Sequence, residues 1–166
     1  IISTYYLPTY MGKRTSSRQT RKRKEFPTRY TSGLSPKDKA KQRRELRKSR
    51  KRDAKGSVET RFVPRPRLKS FRSKTSSWTQ KFHERYPQAH TLTQIAKATG
   101  IPKAALTKVK RKGMGAYYSS GSRPNQTAES WGLARMYSYI LGGPTRKVDS
   151  PITREFHVKF PTRSKA

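Results

Sequence analysis

Charge constrains this chain before any motif does. The sequence carries 41 Lys and Arg against 9 Asp and Glu, a formal net charge of +32. Only 30% of its residues are hydrophobic, where an ordinary domain has roughly 45–50%. A compact state with that charge repels itself unless something negative neutralises it. So little apolar material cannot form a core along the whole chain, so part of it must be extended or must order on a partner. Yet nine Tyr, six Phe and two Trp are more than a disordered tail would hold. The expectation is a mainly α protein, with a small helical module and a long extended basic N-terminal arm. Nucleic acid, an anionic membrane surface or an acidic protein would absorb the charge.

Several function classes fall away. There is no cysteine, which removes disulfides, thiolate metal sites and a Cys nucleophile. His83, His90 and His157 lack metal-ligand spacing, and the nine acids are scattered without a carboxylate pair. No catalytic motif is present, so no enzymatic activity, cofactor or metal is expected. No apolar run approaches the ~18–20 residues that cross a bilayer. Ile1–Tyr10 is too short and polar for a secretory signal.

The basic residues divide unevenly, with 27 of the Lys and Arg before Pro87 and 14 from there on. Residues 1–34 read as an extended basic arm, in which Arg21-Lys22-Arg23-Lys24 also fits a nuclear localisation signal. Residues 35–56 read as a basic helix: Ser35 caps it, Pro36 opens it, Asp38 stands three residues after the cap, and Gly56 stops it. Lys37, Lys41, Arg44, Lys48, Arg52 and Lys55 line one face, and Ala40, Leu46 and Ala54 are the only apolar residues. A helix so polar is expected either to be solvated or to lie on a negative partner, not on its own core. Residues 57–86 read as a Pro-spaced arm in which Arg61, Arg65 and Arg67 alternate with anchors Phe62, Val63, Leu68 and Phe71. Near its end, Trp78, Phe82 and Tyr86 share one side of a short helix.

Residues 87–150 read as the folded module, with 151–166 as a C-terminal tail. Thr91–Lys112 has the pattern of a helix-turn-helix. Ala96 is the small residue, Gly100 the turn, and Ile95, Ile101, Leu106 and Val109 the apolar positions. As a DNA reader it would direct Lys103, Ala104, Thr107, Lys108 and Arg111 at the groove, although lysines bind phosphate better than they read bases. The alternative is a helical hairpin used only for packing or protein contact. Gly113–Thr127 reads as an aromatic-pinned loop or, alternatively, as a Gly/Ser segment holding an anion on backbone N–H groups. Thr127 caps a third helix through Leu141, with Trp131, Ala134, Tyr137 and Ile140 or Leu141 as its buried stripe.

Five stretches carry a resemblance. They are Leu34–Gln42, Arg67–Lys74 and Lys112–Thr127, followed by Ser130–Arg135 and Gly142-Gly143. Together they resemble a poorly characterised family of basic proteins in large double-stranded DNA viruses of algae and amoebae, of the phycodnavirus and mimivirus kind. The resemblance implies a virion setting without a defined activity. The functional expectation is a minor capsid, or cement, protein on the inner face of the shell, present in host cytoplasm or nucleus during assembly. Its partners would be the major and other minor capsid proteins. The alternative is a helix-turn-helix protein that binds double-stranded DNA for packaging or regulation.

Overall fold

A computed structural model describes residues 26–55 and 63–161. Among them are seven α-helices, a 3-10 turn at Thr28–Tyr30 and no strand. The helices are α1 (Pro36–Ala54), α2 (Ser77–Arg85), α3 (Leu92–Thr99), α4 (Lys103–Ser119), α5 (Ala128–Ile140), α6 (Pro144–Val148) and α7 (Ser150–Glu155). No helix among the described residues is long and apolar enough to cross a membrane.

The expected helical hairpin forms as α3 and α4. Thr91 and Gln94 exchange side-chain-to-backbone bonds at the start of α3, so two free N–H groups are satisfied at once. Gly100 ends the helix with φ +70°, and its N–H donates to Ala96 O at 2.9 Å. Ile95, Ile101, Leu106 and Val109 are all buried, and burying each such side chain stabilises by about 1.5–3 kcal/mol.

The loop expected after Lys112 is instead two further turns of α4. Glycine inside a helix costs roughly 1 kcal/mol, which is why Gly113 and Gly115 read as a loop. Packing against α5 outweighs that cost at Gly113. A Cβ on Gly113 would lie 2.8 Å from Gly132 Cα, and one on Gly132 would lie 2.8 Å from Lys110 O. The two helices touch backbone to backbone at this pair, and only hydrogen side chains permit it. Nothing crowds Gly115, so the structure gives no reason for glycine there.

On α5 the buried face is Met136, Tyr137, Tyr139 and Ile140. Trp131 is only half-buried and stands edge-on to Tyr30, 6.1 Å between ring centres. Tyr137 stacks on Phe82 at 4.2 Å and so brings α2 onto the core. The expected C-terminal tail also joins the core. Ile152 and Val158 are buried, Phe156 and Phe160 pack at the edge, and the Tyr139 and Thr153 hydroxyls lie 2.8 Å apart. Asp149 is fully buried between α6 and α7. It receives two bonds of 2.8 Å from Arg135 and pairs with Lys112 at 2.7 Å. Burial pushes its carboxyl up, but the two cations more than reverse this and hold it below the ordinary value.

Helix α1 forms where its cap signals place it, with Ser35 Oγ accepting from Asp38 N at 3.3 Å. Its environment differs from the expectation. Gln42, Leu46 and Ser49 are buried, and they lie against the C-terminal end of α4 and the loop that follows. The last carbonyls of a helix have no partner within it. Ser49 Oγ donates to Tyr118 O at 2.6 Å, Gln42 Nε2 to Ser122 O at 3.4 Å, and Arg50 Nη2 to Ser120 O at 3.4 Å. One leucine and two small polar groups suffice because the surface they meet is unpaired backbone, not apolar side chain. Gly56 lies outside the described residues, and Ala54 is the last helical residue.

Candidate functional site

Packing one face of α1 inward fixes the opposite face outward. Lys37, Arg44, Lys48 and Lys55 are exposed, while Lys41 and Arg52 are half-buried at the margin. Arg47 and Lys51 widen the exposed stripe; they fall outside the three- and four-residue spacing of the sequence pattern because the solvated face of the helix is wider than that spacing. The helix holds ten Lys and Arg against three acids. Glu45 pairs with Lys48 at 3.2 Å and touches Arg44 at 4.0 Å, which leaves most of the positive charge uncompensated. At 1.5 Å per residue, the 19-residue helix presents this stripe over about 28 Å.

The expected partner-binding arm is held by its own chain. Arg61 and Phe62 lie outside the described residues. Leu68 is buried, and the Asn125 side chain grips both its backbone groups: Oδ1 accepts from Leu68 N at 2.8 Å, and Nδ2 donates to Leu68 O at 2.9 Å. The same Nδ2 reaches Phe71 O at 2.6 Å. Asn125 stands at φ +53° to do this, a conformation Asn tolerates better than most residues. At the far end, Asp38 Oδ2 accepts from both Ser70 N (2.9 Å) and Ser70 Oγ (2.6 Å). These bonds hold the Asp38 carboxyl below its ordinary value.

Two of the side chains expected to meet a partner therefore face inward. Arg65 donates to Tyr117 O, to Ser122 Oγ and, at 3.4 Å, to Ser49 Oγ. Its guanidinium also lies 4.0 Å from the Tyr117 ring centre. It caps the C-terminal end of α4, where a cation is favoured, and burial lowers its pKa. Phe71 is half-buried against Gly33, whereas Arg67 and Val63 stay exposed. The groove into which this arm docks is built from α1 and the 121–127 loop.

The exposed side of α4 is the third region. Lys103, Ala104, Thr107, Lys108, Arg111 and Phe156 line an open groove of about 610 Å³, so the residues expected to face DNA do share a surface. It is less cationic than the sequence suggests. Lys108 Nζ contacts both carboxylate oxygens of Glu155 at 2.6 Å, and Lys103 Nζ donates to Thr93 Oγ1 at 2.9 Å. Helix α7 thus places a carboxylate where a phosphate would have to approach. Arg111 is the one cation of the three for which no partner is seen among the described residues.

Comparison with known proteins gives one match. No curated protein matches the chain, and neither does any solved structure. The model of a family of unknown function, DUF5824, matches residues 27–158. The matched span takes in α1, the docked arm, the helical hairpin and α5 together, and the chain belongs to this family.

Proposed function

We propose that this is a non-catalytic structural protein that binds a polyanion through the outward face of α1, and that the polyanion is the phosphate backbone of nucleic acid. The observation that carries the reading is the uncompensated cationic stripe on a helix whose other face is fixed to the module. A stripe on a fixed helix gathers several phosphates without ordering the backbone, and each neutralised phosphate releases counterions. Protein interfaces usually centre on apolar or aromatic anchors. Here Leu68 is buried and Phe71 is half-buried, and Val63 and Val148 are the exposed large hydrophobics among the described residues. The resemblance to proteins of large double-stranded DNA viruses makes the genome within a viral particle the natural partner.

A second reading keeps the minor capsid role, in which the same face docks on acidic surfaces of major and other minor capsid proteins. It is favoured by Ile1–Tyr10, whose Tyr5, Tyr6, Leu7 and Tyr10 would supply the apolar anchors that the described surface lacks. The two readings part on particles that are mildly opened and treated with nuclease. Release of the protein with the genome supports the nucleic-acid reading. Retention on emptied shells at moderate salt supports the capsid reading.

A further inference from the structure

The docked arm leaves a cleft between itself, α1 and the 121–127 loop, and we infer that this cleft receives one phosphate group of the bound nucleic-acid strand. This rests on the nucleic-acid reading above and deepens it. The cleft has a volume of about 270 Å³. Three of its lining residues are Arg65, Arg67 and Arg123, and none is a carboxylate. Arg67 and Arg123 are exposed at its mouth, with no ion pair among the described residues. Arg65 forms the inner wall, and its Nε is buried without a hydrogen-bond partner. A partly buried cation with no counter-charge is costly, and an oxyanion held at the mouth by Arg67 and Arg123 would supply that counter-charge to Arg65.

The remaining lining narrows the ligand. Ser73 and Gln126 line the edge, but their donors are committed to Asn125 O, Ser73 Oγ and Lys74 O, so the arginines carry the recognition. A stacked base is disfavoured, because the Tyr117 ring is covered by Arg65. The start of α5 adds little, since Thr127 and Ser130 already satisfy each other there. Arginine is the side chain whose fork matches phosphate oxygens in pairs. Beyond Arg67 the surface continues through Lys69 and Arg72 along a second shallow groove, a path for the neighbouring phosphates. The arm is held in register by Asn125, so the positions of the arginines depend on an internal clamp and not on the ligand.

The test compares two double variants of the full chain. Arg67→Gln/Arg123→Gln removes two charges at the cleft; Lys97→Gln/Lys159→Gln removes two exposed charges elsewhere. Binding to a mixed-sequence DNA duplex is titrated across salt for both, after their thermal midpoints are shown to match the parent. The cleft variant should lose about tenfold in affinity and flatten the salt slope by about one phosphate, while the control changes less than threefold. On adding duplex, the Arg65 Nε–H resonance should shift in the parent and not in the cleft variant. Equal losses in the two variants with no Arg65 shift would overturn the cleft while leaving the α1 reading intact. A shift with inorganic phosphate alone but none with duplex would also overturn it, by assigning the site to free phosphate. Failure of the α1 reading itself shows separately, as duplex binding that is insensitive to loss of the α1 stripe.

Discussion

The two halves of this molecule are held together by different physics. From Ser77 to Phe160 the helices close over a conventional apolar core of Phe82, Ile95, Leu106, Val109, Met136 and Tyr139. Among the described residues from Phe26 to Ser76, the buried hydrophobic side chains are Tyr30, Leu46 and Leu68. There the fold relies on side chains that satisfy backbone groups: Ser49, Gln42 and Arg65 on the end of α4, Asn125 on Leu68 and Phe71, and Asp38 on Ser70. The contrast shows how a very basic segment can be ordered without a core of its own. It docks on the unpaired carbonyls of a helix end, with Arg65 turned inward to cap them and most of its other charges left outside.

Substitutions on the two sides should therefore differ in size and in reach. Leu106→Ala removes a fully buried side chain at the centre of the core and should cost about 2–5 kcal/mol in denaturant unfolding. Both halves should unfold together, because the first half docks on α4. Asp149→Asn should cost about 2–3 kcal/mol, less than a fully enclosed pair because Lys112 is half-exposed. The wild-type carboxyl titrates below its ordinary 3.8 in the folded state. Its stabilisation is thus complete above that value and is lost as pH falls below it. The thermal midpoint of the wild type should drop more steeply than that of Asp149→Asn as pH is lowered through this range. Parallel curves would show that the triad contributes little.

Gly132→Ala should destabilise by about 1–3 kcal/mol, since its Cβ would press on Lys110 O and Met114. Helix propensity alone predicts the opposite sign, so a more stable variant would remove the backbone contact from the account. On the other side, Asn125→Ala leaves the backbone groups of Leu68 without their partner and should cost about 1–3 kcal/mol. Hydrogen exchange should speed up in residues 63–76 before it does in α4 and α5. Uniform acceleration would mean that the halves are not separately held.

The sequence shows clearly what has periodicity or cap chemistry. The Ser35-Pro36 start of α1, the Gly100 turn and the apolar positions of α3 and α4 stand where their residue types require. Three features were not legible, each for a physical reason. The extension of α4 through Gly113 depends on a glycine 19 residues away, and local propensity argues against it. The inward face of α1 has one leucine because its target is backbone, and hydropathy has no signal for that. Arg65 and Phe71 look like free anchors because nothing local reveals that Asn125 and Gly33 wait for this segment. For the candidate site, the cationic stripe was readable, but which arginines remain free was not. Arg123 lay in the Gly/Ser stretch already suggestive of an anion, through its backbone and not its side chain.

The smallest expected effect on stability is at the outward face of α1. Lys37, Arg44, Arg47, Lys48 and Lys51 are exposed, and changing all of them to Gln should alter unfolding by about 0.5 kcal/mol or less at each position. Their effect on binding should be the largest in the molecule. The direct measurement is the affinity of the full chain for duplex DNA as a function of salt, for the wild type and for this variant. The account predicts a steep wild-type dependence. It also predicts a slope shallower by about 4 in the variant, as expected for a loss of about five phosphate contacts, with an unchanged thermal midpoint. Equal slopes for the two proteins, or a wild-type affinity that barely responds to salt, would contradict it.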